Sequence, residues 1–262
     1  MEPGIREAGA GPGVVCLHCS ASTSGQWRPL MDALADRFHV IAPDLYGCGR
    51  TPPWPEARPM WLDDQVELLA PVFERAGKRF HLVGHSYGGA VALKAALRYG
   101  ARVRSLVLYE PVPFAVLLRA APDSPAAREI VSLRDDALEL MEKGDFEGAA
   151  RRFIDYWMGE GAWAATPEGR RPVIAASMRG VKPEWHSAFH EPTPLEALRA
   201  IEAPTLLLTG TGSTAAARGV ARLVASVLPQ VEVQALAGAG HMAPVTEPQR
   251  INPLIERFVL RT

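Results

Sequence analysis

The sequence predicts an α/β domain with a mostly parallel sheet of about six or seven strands, interrupted by one helical insertion. Short runs rich in Val, Leu and Ile recur along the chain, and segments with helical periodicity separate them. Runs that are apolar at successive positions are typical of strands buried on both faces, as in a parallel sheet. Strands and helices in alternation are typical of α/β folds, in which helices cover both sides of the sheet.

The elements follow from this pattern in order. A short edge strand fits near Ile5–Ala8, ahead of the first strongly apolar run. The runs predicted as buried strands are Val14–His18, His39–Ala42, Phe80–Val83, Val103–Tyr109, Pro204–Thr209 and Val231–Leu236. The segments predicted as helices between and after them are Trp27–Asp36, Trp61–Ala76, Gly89–Tyr99, Ala215–Leu228 and Pro248–Leu260.

One stretch has no clear strand. Residues 113–200 contain segments with helical periodicity, separated by Gly and Pro: Ala127–Lys143, Phe146–Met158 and Pro167–Ala176. The predicted organisation is therefore a core domain made of residues 1–112 and 201–262, with residues 113–200 as a helical insertion. Trp157, Trp163 and Trp185 lie in this insertion. Each indole either lines a pocket or attaches the insertion to the sheet.

The composition excludes several classes of partner. The chain has 262 residues, 48% of them hydrophobic, and a net charge of -1, which fits one domain with a large core. No basic stripe stands out, so neither nucleic acid nor an anionic membrane is an expected partner. No apolar run is long enough to cross a membrane, and the first residues lack a basic-then-apolar export signal, so we expect a cytoplasmic protein.

No metal or other cofactor is expected. Cys16 and Cys19 have the C-x-x-C spacing, but no second pair completes a zinc site, and Cys48 stands alone. Three free thiols, with Cys16 inside a strand, are the favoured interpretation. His186 and His190 lie near a carboxylate, but we find no third ligand for a metal ion.

The strongest chemical signal is the G-x-S-x-G motif Gly84-His85-Ser86-Tyr87-Gly88, which lies between a predicted strand and a predicted helix. In this context the glycines allow a turn too tight for side chains, and the turn lifts the serine hydroxyl clear of the sheet. The start of the following helix favours negative charge at the same place. Ser86 is therefore the predicted nucleophile.

A serine hydroxyl needs a base to accept its proton. His241 is predicted to be this base, because it lies in a glycine-rich loop after the last strand and before the last helix. Gly238 and Gly240 allow that loop to bend back over the strand ends.

The order of these motifs resembles the α/β-hydrolase superfamily over nearly the whole chain. The matching pieces are His18-Cys19-Ser20, the loop Asp44–Thr51 with Gly47 and Gly49, the motif Gly84–Gly88, and Gly240-His241. The resemblance implies an α/β-hydrolase fold with a helical lid, and most often hydrolysis of an ester-like bond.

The catalytic acid departs from the family's usual place. The family most often writes Gly-x-x-Asp after the strand Pro204–Thr209, whereas this chain has Gly210-Thr211-Gly212-Ser213 and no acidic residue from 204 to 231. Some members carry the acid one strand earlier, where this chain has Glu110. Glu110 is therefore the predicted acid. The alternative is that Glu110 caps a loop or pairs with an Arg, while the histidine works with Ser213 or water alone.

The resemblance also places the oxyanion hole. One donor is the backbone N–H of Tyr87, and by position the other is the N–H of Ser20, in a loop where Cys19 replaces the family's usual Gly. His18, Asp44 and His85 are expected to be structural.

The predicted function is cofactor-free hydrolysis of a small or medium carboxylic ester by a serine nucleophile. A carbon–carbon bond hydrolase, a lactonase or a thioesterase with the same triad stays open, as does a lyase or a perhydrolase. A non-catalytic ligand-binding protein is the alternative from another class. Dehalogenase and epoxide hydrolase chemistry are disfavoured, because those relatives need a carboxylate at the position of Ser86.

Overall fold

The structure, a computed structural model, describes residues 1–55 and 57–262. In these residues a sheet of seven strands has the order β1-β3-β2-β4-β5-β6-β7. The strands are β1 (Ile5–Ala8), β2 (Gly13–Leu17), β3 (His39–Pro43), β4 (Phe80–His85), β5 (Val103–Tyr109), β6 (Thr205–Gly210) and β7 (Val231–Leu236). Strand β1 pairs antiparallel with β3, and the other neighbours are parallel. The predicted fold class is confirmed.

Helices occupy the connections on both sides of the sheet. They are α1 (Arg28–Leu34), α2 (Leu62–Leu68), α3 (Ala70–Arg75), α4 (Tyr87–Tyr99), α5 (Phe114–Ala120), α6 (Pro125–Glu142), α7 (Phe146–Met158), α8 (Ala162–Ala165), α9 (Arg171–His190), α10 (Ala215–Val227), α11 (Ala243–Thr246) and α12 (Pro248–Arg261). Helices α5 to α9 follow one another between β5 and β6.

Two helical predictions were wrong in extent. The segment Trp61–Ala76 is two helices that meet at Leu69, because Pro71 can open a helix but cannot supply an interior backbone N–H. The segment predicted to end at Ala176 continues to His190, with Pro183 inside it. Burial of its Val181 and Trp185 side chains offsets the backbone hydrogen bond that Pro183 cannot make.

The core lies on both faces of the sheet. Alternate residues of one strand, such as Val14 and Val15, belong to different buried clusters, because successive side chains point to opposite faces. The aromatic rings of the insertion join the larger cluster. The chain leaves β2 to form β3 on one side and returns to form β4 on the other, so the strand order reverses at β2. Ligands of open α/β sheets bind at such a point, beyond the carboxyl ends of the strands.

Candidate active site

Ser86 lies in the sharp turn between β4 and α4, at the carboxyl edge of the sheet. Its φ of 56° is in the region that favours glycine, and holding such a conformation costs about 1–3 kcal/mol. The flanking glycines are sterically required. A Cβ on Gly84 would come within 2.6 Å of the Gly88 carbonyl oxygen, and one on Gly88 within 2.4 Å of the Leu17 carbonyl oxygen. Ser86 is therefore raised from the sheet by backbone packing.

The His241 imidazole lies directly over this turn. Its Nε2 is 2.9 Å from Ser86 Oγ, and its Nδ1 is 2.7 Å from Glu110 Oε2. All three side chains are buried. A ring that donates from Nδ1 to a carboxylate leaves Nε2 free to accept the serine proton. The structure thus brings the three predicted triad residues into one hydrogen-bonded row.

Glu110 is the first residue after β5 and has a φ of 42°. Both carboxylate oxygens accept hydrogen bonds. Oε1 accepts from Thr209 Oγ1 at 2.9 Å and from the Gly210 N–H at 2.8 Å. Oε2 accepts from Ser213 Oγ at 2.6 Å and from His241 Nδ1. Burial alone would raise the pKa of this carboxyl, but His241 and these donors outweigh burial and hold the pKa below its ordinary value. The carboxyl group is therefore a carboxylate at neutral pH.

The contacts of Ser213 bear on the alternative role for Glu110. The Ser213 hydroxyl donates to Glu110, not to His241, and within the described part of the chain the carboxylate has no arginine partner. The end of β6 and the loop after it, where the family most often carries its acid, here supply hydrogen-bond donors to Glu110, which follows β5.

The two predicted oxyanion donors flank Ser86. Tyr87 begins α4, so its N–H belongs to the first helical turn, where amides lack intrahelical partners. Within residues 1–55 and 57–262 we find no acceptor for the Ser20 N–H. The loop after β2 turns at Ala21, which has a φ of 55°, and not at Cys19, where the family usually has Gly. The substitution at Cys19 therefore does not prevent the turn.

A narrow pocket opens beside Ser86. The residues that line it are Ser20, Ser86, Tyr87, Val112, Phe114, Phe153, Trp157, Trp185 and Ala188. Its free volume is about 10 Å³, roughly the space for one water molecule. The Trp157 ring stacks on the His241 ring with centroids 4.1 Å apart. Of the three tryptophans predicted in the insertion, Trp157 and Trp185 line this pocket, and Trp163 is buried elsewhere in the insertion.

The comparisons with known proteins agree with this fold and motif order. A family model described as the alpha/beta hydrolase family matches residues 14–254, which is most of the chain. The chain belongs to the alpha/beta hydrolase family.

Named relatives of this α/β-hydrolase are hydrolases. A pimeloyl-[acyl-carrier protein] methyl ester esterase of Nitrosomonas europaea is 27% identical over 259 residues, which cover 94% of this chain and 95% of the relative. A 2-hydroxy-6-oxo-2,4-heptadienoate hydrolase of Pseudomonas putida is 37% identical over 112 residues, 41% of this chain and 40% of the relative. A thermophilic esterase from Thermogutta terrifontis has the same fold, with a TM-score of 0.78, 24% identity and coverage of 98% and 93%. The protein is thus a hydrolytic enzyme.

Two side chains that the sequence did not indicate as site residues hold the loop of His241. His85 Nε2 donates to the His241 carbonyl oxygen at 2.9 Å, and Tyr109 Oη donates to the Gly240 carbonyl oxygen at 2.7 Å. His85 precedes Ser86 in the chain, and Tyr109 precedes Glu110. Each therefore ties the loop of His241 to the strand end that carries Ser86 or Glu110. Adjacency to Ser86 and Glu110 is the only sequence signal that could have suggested this.

Gln26 extends this network to the loop after β2. Its Oε1 accepts from the Cys19 N–H at 3.1 Å, and its Nε2 lies 3.1 Å from His85 Nδ1. Burial and the neighbouring His241 lower the pKa of His85 well below its ordinary value, so the ring is neutral and its Nδ1 can accept from Gln26. One amide side chain thus connects the loop of Ser20 to the loop of His241.

Gln26→Leu is expected to lower kcat by roughly 10- to 100-fold with little change in KM, since misplacement of reacting groups by an ångström costs about that much. The variant leaves the Cys19 N–H and His85 Nδ1 without their partner. Ester hydrolysis under saturating substrate is the measurement. Gln230→Leu, an exposed site, is the matched control. Unchanged kcat in the Gln26 variant would show that the network is not needed for positioning.

His18 and Asp44 have the contacts of structural residues. His18 Nδ1 donates to the Cys19 carbonyl oxygen and its Nε2 accepts from the Leu45 N–H. Asp44 accepts from the Ser24 and Arg50 amides. Both side chains therefore hold together the loops that follow β2 and β3, as the sequence predicts.

The remaining sequence candidates contribute no separate site. Cys16, Cys19 and Cys48 are free thiols, and all three are buried. His186 and His190 stack on each other with ring centroids 4.6 Å apart. Across residues 1–55 and 57–262, no group of three or more His, Cys, Asp or Glu side chains is arranged to hold a metal ion. In the same residues, none of the helices combines the length and the apolar character needed to cross a bilayer.

Proposed function

We propose that this hydrolase is a serine esterase that cleaves small or medium carboxylic esters through an acyl-enzyme. The observation that carries the proposal is the hydrogen-bonded row from Ser86 Oγ through His241 to Glu110. In the proposed reaction Ser86 attacks the ester carbonyl while His241 takes its proton. His241 then returns the proton to the departing alcohol, and the Glu110 carboxylate stabilises the imidazolium in between. Water activated by His241 releases the acid and restores Ser86.

The backbone amides of Tyr87 and Ser20 are proposed to hold the oxyanion that forms in each tetrahedral intermediate. Both residues line the same pocket as the nucleophile. Amides preorganised in a site that excludes water stabilise developing charge strongly, because they need no reorganisation during the reaction. Removing one such donor in other hydrolases costs about 100- to 1,000-fold in kcat.

The walls of the pocket support an uncharged acyl group. Apart from two serines, the described lining residues are aliphatic or aromatic, and they include neither Lys nor Arg. A carboxylate on the acyl group would lose its hydration there without gaining a partner. With so little free volume, binding of an acyl chain requires side chains of the insertion to move.

Residues 113–200 are proposed to act as a cap over a core made of residues 1–112 and 201–262. Trp157 belongs to this insertion and lies between two spaces. On one side is the pocket of Ser86, and on the other is an outer groove of about 410 Å³ bounded by Thr214, Gly240 and Glu247. The outer groove is polar and has room for a leaving alcohol larger than methanol.

Hydrolysis of a carbon–carbon bond is the second candidate. It is favoured by the 37% identity to the Pseudomonas putida dienoate hydrolase and by 38% identity over 111 residues to a 2-hydroxymuconate semialdehyde hydrolase of a Pseudomonas strain. Substrates of those names carry a carboxylate, for which the pocket offers no cation among its described lining residues. Turnover of a 2-hydroxy-6-oxo-dienoate faster than of any simple ester would favour this candidate over the esterase.

Labelling with a fluorophosphonate tests the serine mechanism directly. We expect one phosphonyl group per chain, found by peptide mass spectrometry on Ser86, and a burst of p-nitrophenol from p-nitrophenyl acetate equal to the enzyme concentration. Heat-denatured protein is the control for non-specific labelling. A well-folded protein that neither labels nor shows ester turnover would instead support a ligand-binding role.

Trp157→Leu is expected to shift preference toward longer acyl groups. The ratio of kcat/KM for p-nitrophenyl hexanoate to that for the acetate should rise by about 10-fold or more, because a smaller side chain leaves room that extra methylenes can fill. Trp163→Leu is the matched control, since both indoles are almost fully buried but Trp163 does not line the pocket. Equal ratios in the two variants would contradict the proposed role of Trp157 in the acyl pocket.

A further inference from the structure

Glu184 is a buried carboxyl that the proposed reaction does not use. It lies on α9 of the insertion and is 1% exposed. Its Oε1 accepts a long contact from Cys48 Sγ at 3.9 Å, and its Oε2 has no hydrogen-bond partner among the described residues. Burying a carboxyl with so few hydrogen-bond partners lowers the stability of the fold, so its presence calls for an explanation.

One contact before Glu184 and one after it join the same face of α9 to the core. One turn earlier, Gly180 packs against Gly47, so closely that a Cβ on Gly180 would be 3.3 Å from the Gly47 carbonyl oxygen. One turn later, Ser187 Oγ lies 2.8 Å from Tyr87 Oη. Positions 180, 184 and 187 share one face of a helix. The Glu184 carboxyl is therefore held at the junction of the insertion with the core loops.

The groups that face Glu184 come from three elements of the core. The loop after β2 contributes Ser20, whose hydroxyl lowers the pKa of Glu184, and Cys19. The loop after β3 contributes Cys48, with Asp44 behind it, and α4 contributes Tyr87. No cation is among these groups. Burial consequently raises the pKa of Glu184 to about 8, against partial opposition from Ser20 and Cys48.

The position next to Ser20 matters because Ser20 is the proposed second oxyanion donor. A neutral carboxylic acid can donate and accept hydrogen bonds at that loop without adding charge. A carboxylate there would repel the negative charge that develops on the substrate oxygen and would lie buried without a counter-ion. The protonated form is therefore compatible with catalysis and the ionised form opposes it.

We propose that Glu184 is a positioning residue for the oxyanion loop, which as a neutral acid braces Ser20 under the insertion and which on ionisation slows hydrolysis. This inference rests on the proposed serine esterase. Since the folded-state pKa is above the unfolded value, the neutral form stabilises the fold below the unfolded pKa, and that stability is lost as pH rises toward and through about 8.

The test is the pH dependence of kcat and KM for p-nitrophenyl acetate in the wild type and in Glu184→Gln, which is isosteric with the neutral acid. We expect wild-type kcat to fall about tenfold between pH 7 and pH 9, as a single ionisation near 8 requires. Glu184→Gln should keep most of the kcat at pH 7 and lose this alkaline decrease. Glu184→Ala should lower kcat at pH 7 severalfold with little change in KM.

Neighbouring thiols and the phenol do not account for a decrease in this range. Burial raises the pKa of Cys19 to about 12 and raises the pKa values of Cys48 and Tyr87 well above their ordinary values. Glu168→Gln, an exposed position of the same insertion, is the matched control and should leave the profile unchanged.

A second variant keeps the inference testable if Glu184→Gln fails to fold. Ser20→Ala keeps the backbone amide but removes the hydroxyl that lowers the Glu184 pKa, so the alkaline decrease should move to higher pH. A decrease that Glu184→Gln leaves in place, or that Ser20→Ala does not move, would overturn the inference while Ser86 still labels normally. A wild type that does not label at any pH would overturn the proposed function and this inference with it.

Discussion

Replacing Ser86 with Ala is expected to lower kcat for p-nitrophenyl acetate by at least about 10,000-fold, because without the hydroxyl no acyl-enzyme can form. Fluorophosphonate labelling should disappear at the same time. KM, where residual turnover allows its measurement, should change little, since the pocket walls are retained. Alanine adopts the φ of 56° at about the same cost as serine, so the variant should fold as the wild type does.

Circular dichroism and the thermal midpoint check that fold. Ser226→Ala is the matched control, because its hydroxyl is exposed and bonds only within its own helix. If the Ser86 variant kept more than a few per cent of the wild-type rate, a different nucleophile or activated water would have to carry the reaction.

Glu110→Gln is expected to lower kcat by roughly 1,000- to 10,000-fold with the fold intact. The reason is the number of donors around the carboxylate. Oε1 accepts from Gly210 N–H and Thr209, and Oε2 accepts from His241 and Ser213. A glutamine offers an acceptor at only one end. The Gly210 N–H cannot reverse, so the amide NH2 is left facing His241, and the ring adopts the tautomer that cannot accept the serine proton.

Ser213→Ala is the graded control for this change, because it removes one donor and keeps the carboxylate. We expect its kcat to fall by roughly 10- to 100-fold, because one hydrogen bond to a charged group is worth about 1.5–3 kcal/mol. Steady-state kinetics and thermal midpoints of both variants make the comparison. Near-normal kcat in Glu110→Gln would show that another residue or water, and not Glu110, orients His241.

Both predictions depend on a His241 loop that neighbouring residues hold from two sides. His85 and Tyr109 donate to the carbonyl oxygens of His241 and Gly240, and they are the chain neighbours of Ser86 and Glu110. A movement of β4 or β5 therefore carries His241 with Ser86 or Glu110. This explains how a glycine-rich loop can keep an imidazole within hydrogen-bond distance of two side chains that are 24 positions apart in the chain.

The sequence predicted the fold well because its local signals agree with one another. Six apolar runs and one short edge segment predicted the seven strands to within two residues. Buried parallel strands are apolar on both faces, which explains β2 to β6, whereas the edge strand β7, predicted as buried, is largely exposed. The departures occurred where a local breaker competes with packing. Pro71 splits a predicted helix, whereas α9 continues through Pro183 because its buried side chains compensate.

The candidate site was predicted in its residue types but not in its supporting contacts. Ser86 and His241 follow from motif and position, and Glu110 follows from the absence of an acid between 204 and 231 together with the resemblance. These supporting contacts join residues far apart in the chain. They are the hydrogen bonds from β6 to Glu110, the hydrogen bonds of Gln26 and the stacking of Trp157 on His241. No periodicity or spacing indicates which of these side chains meet.

By itself, the sequence determined the order of strands and helices, because hydrophobic period and turn chemistry act over a few residues. The motifs around Ser86 and His241 indicated two members of the proposed triad, and the resemblance to the α/β-hydrolases indicated Glu110 as the third. Only the tertiary structure decided that β6 and its loop donate hydrogen bonds to Glu110, that Glu184 is buried where the insertion meets the core loops, and that the pocket is nearly filled. Burial, desolvation and hydrogen-bond partners are properties of the packed chain, since they depend on which distant segments pack together and exclude water.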